Sequence, residues 1–426
     1  MGILVLLAVL IVLTLIGLPL VYSLLASCIF YLLIFRPDLP FMAVVQLFVN
    51  GLDSTLLLAI VFFFLTGELM NSGGITTKLI DFAKTLVGSF KGGIAQVNIL
   101  SSVLFSGITG SAVSDTAAVG GVMIPSMIKM GYSRPFSAAV TQVSSVIGPI
   151  IPPSIPVIVY AALAEVSVGK MFLAGIVPGV LISISLMITV YHISKKRNYP
   201  SSGFVGWGKV FATGLQALFA LAALVIIVGG ILAGIFTPTE AGAVAVFYSL
   251  MVGFFWYREL SLKKVVQSFT KAARGTSTVL VILGASNILA WILADLQVGL
   301  KLNMLIAYIS SDPLIILILI NVFIFIIGLF MDPLASLIIV VPVFLPTILA
   351  AGIDPIHFGI VVIFNLMIGL CTPPIGYLIY ISADLARTKP EKVIRESLPF
   401  VLALGITLVI LIAVPQITIG LIAWIT

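Results

Sequence analysis

Apolar runs of about 20 residues, enough to cross a hydrocarbon core about 30 Å thick, recur along most of the chain and are separated by short polar stretches. Residues 1–35 are apolar but too long for one crossing, and Gly17 and Pro19 stand where a break is needed. Further spans are predicted at 56–70, 171–193, 215–236, 241–257, 276–295 and 400–422. Between 71 and 91, Lys78, Asp81 and Lys84 interleave with Leu79, Ile80, Phe82 and Leu86, which predicts an amphipathic helix in the interface. Thr237-Pro238-Thr239-Glu240 has the form of a capping box with proline at the first helical position, so a helix start accounts for Glu240.

Four stretches depart from simple spans, and they form two pairs. In 98–129 the apolar pattern is interrupted from Ser106 to Thr116, reading SGITGSAVSDT. Backbone exposed by such small residues at membrane depth must face protein or water, which predicts a helical hairpin whose tip reaches partway into the membrane. The segments 315–330 and 334–349, joined through Gly328, Asp332 and Pro333, mirror it. The second pair carries proline breaks: Gly148 precedes Pro152-Pro153, and 221 positions later Gly369 precedes Pro373-Pro374. The same offset aligns Pro125 with Pro346, Gly131 with Gly352, Ile147 with Ile368 and Ile158 with Ile379. Adjacent prolines remove amide donors and clash with the preceding turn, so both segments are predicted to be broken helices. The predicted fold is an all-α polytopic membrane protein of about a dozen segments in two inverted repeats, each with a re-entrant hairpin and a broken helix. Asp332 falls four residues from the position matching Asp115, which predicts an insertion or deletion at the hairpin tip.

Composition sharpens this reading. The chain is 61% apolar and 8% charged, against roughly 25% charged in a soluble domain, and its longest polar connection, 195–209, is too short to fold alone. The formal charge of +6 comes from short basic clusters, around Lys195–Arg197, 258–274 and 387–395, which mark cytoplasmic ends and give no footing for nucleic acid. No Lys or Arg precedes Arg36, so a cleaved signal peptide is not expected and the first segment stays as a span. Cys28 and Cys371 sit in apolar surroundings as small buried residues, and His192 and His357 are isolated, so no transition-metal site is expected.

Paired hairpins and broken helices are the arrangement of a secondary transporter with a site near the bilayer midplane. Helix N-termini offer unpaired amides to an anion, and freed carbonyls suit a hard cation such as Na+. Asp115 and Asp332 are the acidic groups at the hairpin breaks, and intramembrane carboxylates point to function. Each also fits a capping role, Asp332 before Pro333 and Asp115 before Thr116. Ser106, Thr109, Ser111, Ser144, Ser145 and Ser154 offer hydroxyls, or pack helices. Three other classes fit the chain less well. A primary pump lacks a phosphate-binding loop, since Gly169-Lys170 is followed by Met171. An intramembrane aspartyl protease using Asp115 and Asp332 would leave the duplicated proline breaks without a role, and a channel suits two occluding breaks less well than a transporter does.

At Phe105–Asp115, Ile147–Ser154, Pro238–Glu240, Gly328–Asp332, Gly352–Pro355 and Ile368–Pro374 the sequence resembles the large membrane subunit of the tripartite ATP-independent periplasmic (TRAP) transporters, over nearly its whole length. The resemblance implies an elevator mechanism in a bacterial inner membrane, a small membrane subunit of about four helices, and a periplasmic binding protein that delivers the solute. It implies Na+-driven uptake of an organic acid, a sialic-type sugar acid or a C4-dicarboxylate, with Na+ as the coupling ion and no organic cofactor. Na+ would sit among Ser106, Gly148, Ile151 and Pro153 in one half and Gly328, Gly369 and Thr372 in the other. Solute would contact Ser111, Asp115, Ser154 and Asp332. The expected organisation is scaffold and interfacial arm at 1–91, a first transport half at 92–168, scaffold and arm at 169–274, a connection at 275–312, a second transport half at 313–386 and a scaffold helix at 387–426.

Overall fold

The structure, a computed structural model, describes residues 2–16, 18, 20–201, 203, 205–298, 301, 304, 310 and 312–425, and their regular structure is entirely helical. Among these residues seven helices are long and apolar enough to cross a membrane, accompanied by six shorter apolar helices of 10–17 residues. Helices Gly2–Leu15 and Leu20–Phe35 are separate; Gly17 and Pro19, expected to part them, lie outside the described residues. The amphipathic stretch forms helix Ile75–Val87, with Ile75, Leu79, Ile80 and Ala83 buried, Lys84 paired with Asp81, and Thr85 bonded to Thr213 of helix Trp207–Leu224. The capping box is formed as read: the Glu240 amide donates to Thr237 Oγ1, and the Thr237 amide to the Glu240 carboxylate at 2.8 Å.

One expected boundary is absent. Leu262–Asp295 is a single helix of 34 residues, about 50 Å long, so the basic run to Arg274 and the span after it are continuous across 274/275. It holds no proline, and Gly275, Thr276, Ser277 and Thr278 lower helix propensity at the junction without removing a hydrogen bond from the ladder.

Both hairpins and both broken helices are present. The first hairpin pairs Gly93–Thr109 with Ala112–Lys129, the second Pro313–Gly328 with Pro333–Ala350. The first broken helix runs as Arg134–Ser145 and Ile155–Ala164, the second as Pro355–Leu370 and Tyr377–Leu385. Ala112–Lys129 and Pro333–Ala350 are 18 residues each and coincide end to end at the 221-residue offset. The expected insertion or deletion at the tip is therefore corrected: the register holds, and the N-caps Ser111 and Asp332 are the equivalent positions, with Ser336 opposite Asp115.

The hairpins enter from opposite ends. Gly92, at the base of the first, packs against Val190 and Ser194 near the C-terminal end of helix Val168–Lys196. Tyr160, near the N-terminal end of that helix, donates its hydroxyl proton to the carbonyl of Pro355, at the base of the second. Val168–Lys196 and Pro390–Ala413 were expected with the scaffold, but they pack against the broken helices and each other. The reason lies in glycines: Gly175 and Gly179 have no side chain where Ile150 and Ile151 of the first break press in. Thr55–Ser72, Pro238–Met251 and Leu262–Asp295 pack together as a second group, touching the hairpins through Thr55–Ser72 and Leu262–Asp295.

Replacing Thr237 with Ala removes an N-cap acceptor and half of the box, and is expected to destabilise the protein by about 1 kcal/mol. Thermal unfolding in detergent should show a lower midpoint, and an unchanged midpoint would remove the box from the fold's determinants.

Candidate functional site

The residues that matter are those where a helix stops inside the apolar body. At the first hairpin the turn is made by Gly110, with φ of 56°, a left-handed conformation that glycine adopts without strain. A Cβ there would stand 2.7 Å from the Pro153 carbonyl oxygen and 2.9 Å from Ser154 Cα, so the tip is seated directly on the first break. Ser111 then caps Ala112–Lys129, accepting from the Ser114 amide, and its backbone lies against Gly148. Ser154 caps Ile155–Ala164 through the Val157 amide and donates to the Pro149 carbonyl.

The second half repeats the contact with different side chains. A Cβ on Gly369 would be driven into the carbonyl of Gly328, so tip and break meet backbone to backbone. Thr372 Oγ1 donates to the Ile368 carbonyl at 2.7 Å. Asp332 caps Pro333–Ala350, accepting from the amides of Leu334 at 2.9 Å and Ala335 at 3.4 Å. Both Pro152-Pro153 and Pro373-Pro374 are joined by cis peptide bonds.

The two halves converge on one narrow cleft of about 60 Å³, lined by Ser111, Pro149 and Ile155 from the first and Asp332, Met367 and Leu370 from the second, with Phe64 at its edge. A neighbouring cavity of about 340 Å³, lined by Gly328, Asp332, Gly369 and Tyr377, shares Asp332 with it. The larger space falls within the roughly 300–1,000 Å³ range of small-molecule sites and the smaller does not. The N-termini of Ala112–Lys129, Ile155–Ala164 and Pro333–Ala350 all border the cleft, which favours negative charge there.

Not every expected residue reaches this cleft. Asp115 is wholly buried behind the first tip, accepting from Ser102 Oγ at 2.8 Å, and it is neither cap nor lining residue: Ser111 takes the cap four residues earlier, turning the Asp115 side chain inward. Its Oδ1 has no hydrogen-bond partner among the described residues. Ser102 Oγ also lies 3.0 Å from Ser144 Oγ, and Ser145 Oγ donates to the Thr141 carbonyl. Ser106, buried, donates to the Val103 carbonyl, Ile151 packs on Gly179, and the side chain of Thr109 lies outside the described ones.

Two residues escaped the sequence reading. Asn365 Nδ2 donates to the backbone carbonyl of Asn321 at 2.7 Å and to its side-chain oxygen at 2.9 Å, joining the second hairpin to the second break. Asn365 is the 221-offset counterpart of Ser144, while Asn321 stands two residues before the position matching Ser102, so the second half makes a hairpin-to-break contact of its own rather than a copy of Ser102–Ser144. Amide side chains inside apolar runs were the available signal.

Gly369→Ala places a methyl group against fixed backbone and is expected to lower the thermal midpoint, whereas Gly405→Ala, with open space at its Cβ, should leave it within error. Equal midpoints for the two variants would contradict the packing of tip on break.

Comparison with known proteins gives a consistent picture. Residues 7–417 match the family described as "Tripartite ATP-independent periplasmic transporter, DctM component". The sialic acid TRAP transporter large permease protein SiaM of Vibrio cholerae is 38% identical over 403 residues, covering 94% of this chain and 94% of that protein. The C4-dicarboxylate TRAP transporter large permease protein DctM of Pseudomonas aeruginosa is 36% identical over 393 residues, covering 92% of each. Among solved structures, the YdaH transporter of Alcanivorax borkumensis matches with a TM-score of 0.62 at 16% identity, covering 89% of this chain and 88% of that one, a likeness of fold alone. The chain thus belongs to the DctM family of TRAP large permease subunits, and is a multi-pass inner-membrane component of a secondary transporter rather than an enzyme.

Proposed function

We propose that this subunit carries an organic acid across the inner membrane together with Na+, by an elevator motion of the body built from the hairpins and broken helices. The observation that supports it most is the meeting of two hairpin tips and two helix breaks at one cleft. A carboxylate entering the cleft would face the helix N-termini, and the hydroxyls or amide of a sugar acid would donate to Asp332. Backbone carbonyls at the tip–break contacts are hard oxygen donors of the kind Na+ takes. Ser106, Gly148, Ile151 and Pro153 would hold one ion, and Gly328, Gly369 and Thr372 another. Ser111 and Asp332, which line the cleft, would contact solute; Ser154 would hold the break beside it as a cap, and Asp115 would act from behind the tip, through Ser102 and Ser144, rather than by direct contact.

The relatives named for sialic acid and for C4-dicarboxylates keep both solute classes open for this chain, and the carboxylate is common to them. By the same kinship a small membrane subunit and a periplasmic binding protein complete the transporter. The Val168–Lys196 and Pro390–Ala413 helices would travel with the hairpins, given their packing.

Asp332 separates binding from capping. Asn is as good an N-cap as Asp, so Asp332→Asn keeps the helix start and removes the charge. In vesicles holding the complete transporter, with binding protein outside and an inward Na+ gradient, Asp332→Asn is expected to reduce sialic acid or succinate uptake at least tenfold with an unchanged thermal midpoint. Uptake at the normal rate would confine Asp332 to capping, and uptake by the unsubstituted transporter that is indifferent to Na+ would overturn the coupling.

A further inference from the structure

We infer that one end of the hairpin-bearing body is a docking surface for the headgroups of anionic phospholipids. Three chain connections meet there: the turn after Ala112–Lys129, the turn after Val168–Lys196, and the link between Tyr377–Leu385 and Pro390–Ala413. They are tied by the Arg134 guanidinium donating to the Ala386 carbonyl, Tyr132 donating to the Pro200 carbonyl, and an Arg197–Glu396 ion pair at 2.8 Å. Tyr132, Phe136 and Tyr199 stack beneath, with Arg197 over the Phe136 ring.

The charge at this end is one-sided. Lys129, Arg134, Lys195, Lys196, Arg197, Arg387, Lys389, Lys392 and Arg395 face only Asp384, Glu391 and Glu396, a net +6, which equals the formal charge of the entire chain. All nine basic residues are exposed. Arg197 and Arg134 are engaged as above, and among the described residues the side chains of the other seven make no ion pair or hydrogen bond.

Depth selects the partner. Tyr191 and Leu398, exposed on the flanks of the apolar helices, are four residues before Lys195 and three after Arg395, within about one helical turn, or roughly 6 Å along the axis. The cations therefore stand just beyond side chains that face acyl chains, at the level of phosphates, where each Lys or Arg adds to attraction for anionic lipid. A soluble acidic protein would approach from further out and would not need this placement.

The test uses the reconstituted transporter in phosphatidylcholine bilayers containing spin-labelled phosphatidylglycerol or spin-labelled phosphatidylcholine. Electron paramagnetic resonance then reads the immobilised fraction of each. Phosphatidylglycerol is expected to associate several-fold more strongly, with the preference shrinking in high salt. The K195Q/K196Q/K392Q/R395Q variant should bring the ratio close to 1, and R387Q/K389Q should lower it by a smaller step, which guards against misfolding of the larger variant. A ratio near 1 for the unsubstituted protein, or one unchanged in both variants, would overturn the inference. Loss of the preference on adding soluble polyglutamate at ionic strength held constant would also overturn it, assigning the face to an acidic partner in solution.

Discussion

Backbone amides and carbonyls released from a helix inside a membrane must be met by protein or water, because lipid offers them nothing. The architecture follows from how this chain meets that demand four times. Each proline pair stops a helix, each hairpin tip stops two more, and tip and break are set against each other so that their freed groups face a shared interior. Gly110 on Pro153, and Gly369 on Gly328, are the contacts that make this possible, since any side chain there would hold the two backbones apart. The packed helices around them supply the apolar enclosure, and the cleft is what remains between the two halves.

The two halves solve the same problem with different chemistry. Where the first tip is capped by Ser111, the second is capped by Asp332, and where the first joins hairpin to break through Ser102 and Ser144, the second uses Asn321 and Asn365. Exposure differs as well: Pro152, Pro153 and Ser154 are buried, while Pro373, Pro374 and Ile375 are open. The larger cavity lies on that open side and reaches Tyr377, from which a short helix leads to the basic end. A transporter that shows its site to one side at a time has to break the symmetry of its repeat in this manner, and on the proposed reading the open half faces the cytoplasm.

Much of this was legible in the chain. Prolines are strong punctuation in apolar segments, so Pro152-Pro153 and Pro373-Pro374 disclosed both breaks and, by their common offset, the repeat. The Thr237 capping box was equally local and was read whole. Side-chain type is a poor guide to equivalence in this repeat: pairing Asp115 with Asp332 by charge requires a gap that the helices do not contain, because backbone capping positions, not carboxylates, keep the register. Asp115 meets a partner that no local pattern discloses, the Ser102 hydroxyl of the facing hairpin helix, once Ser111 has taken the cap. The partners of the long helix after the first break are equally invisible in its apolar pattern, and the approach of Ile150 and Ile151 to Gly175 and Gly179 shows where Val168–Lys196 packs.

On the proposed reading the two tip–break contacts each hold a cation, flanking one solute site. The most direct measurement is the initial rate of solute uptake into vesicles as Na+ is varied at constant ionic strength with choline as replacement. A sigmoidal dependence with a Hill coefficient clearly above 1 is the predicted result. A hyperbolic curve with a coefficient of 1, or a rate independent of Na+, would contradict it.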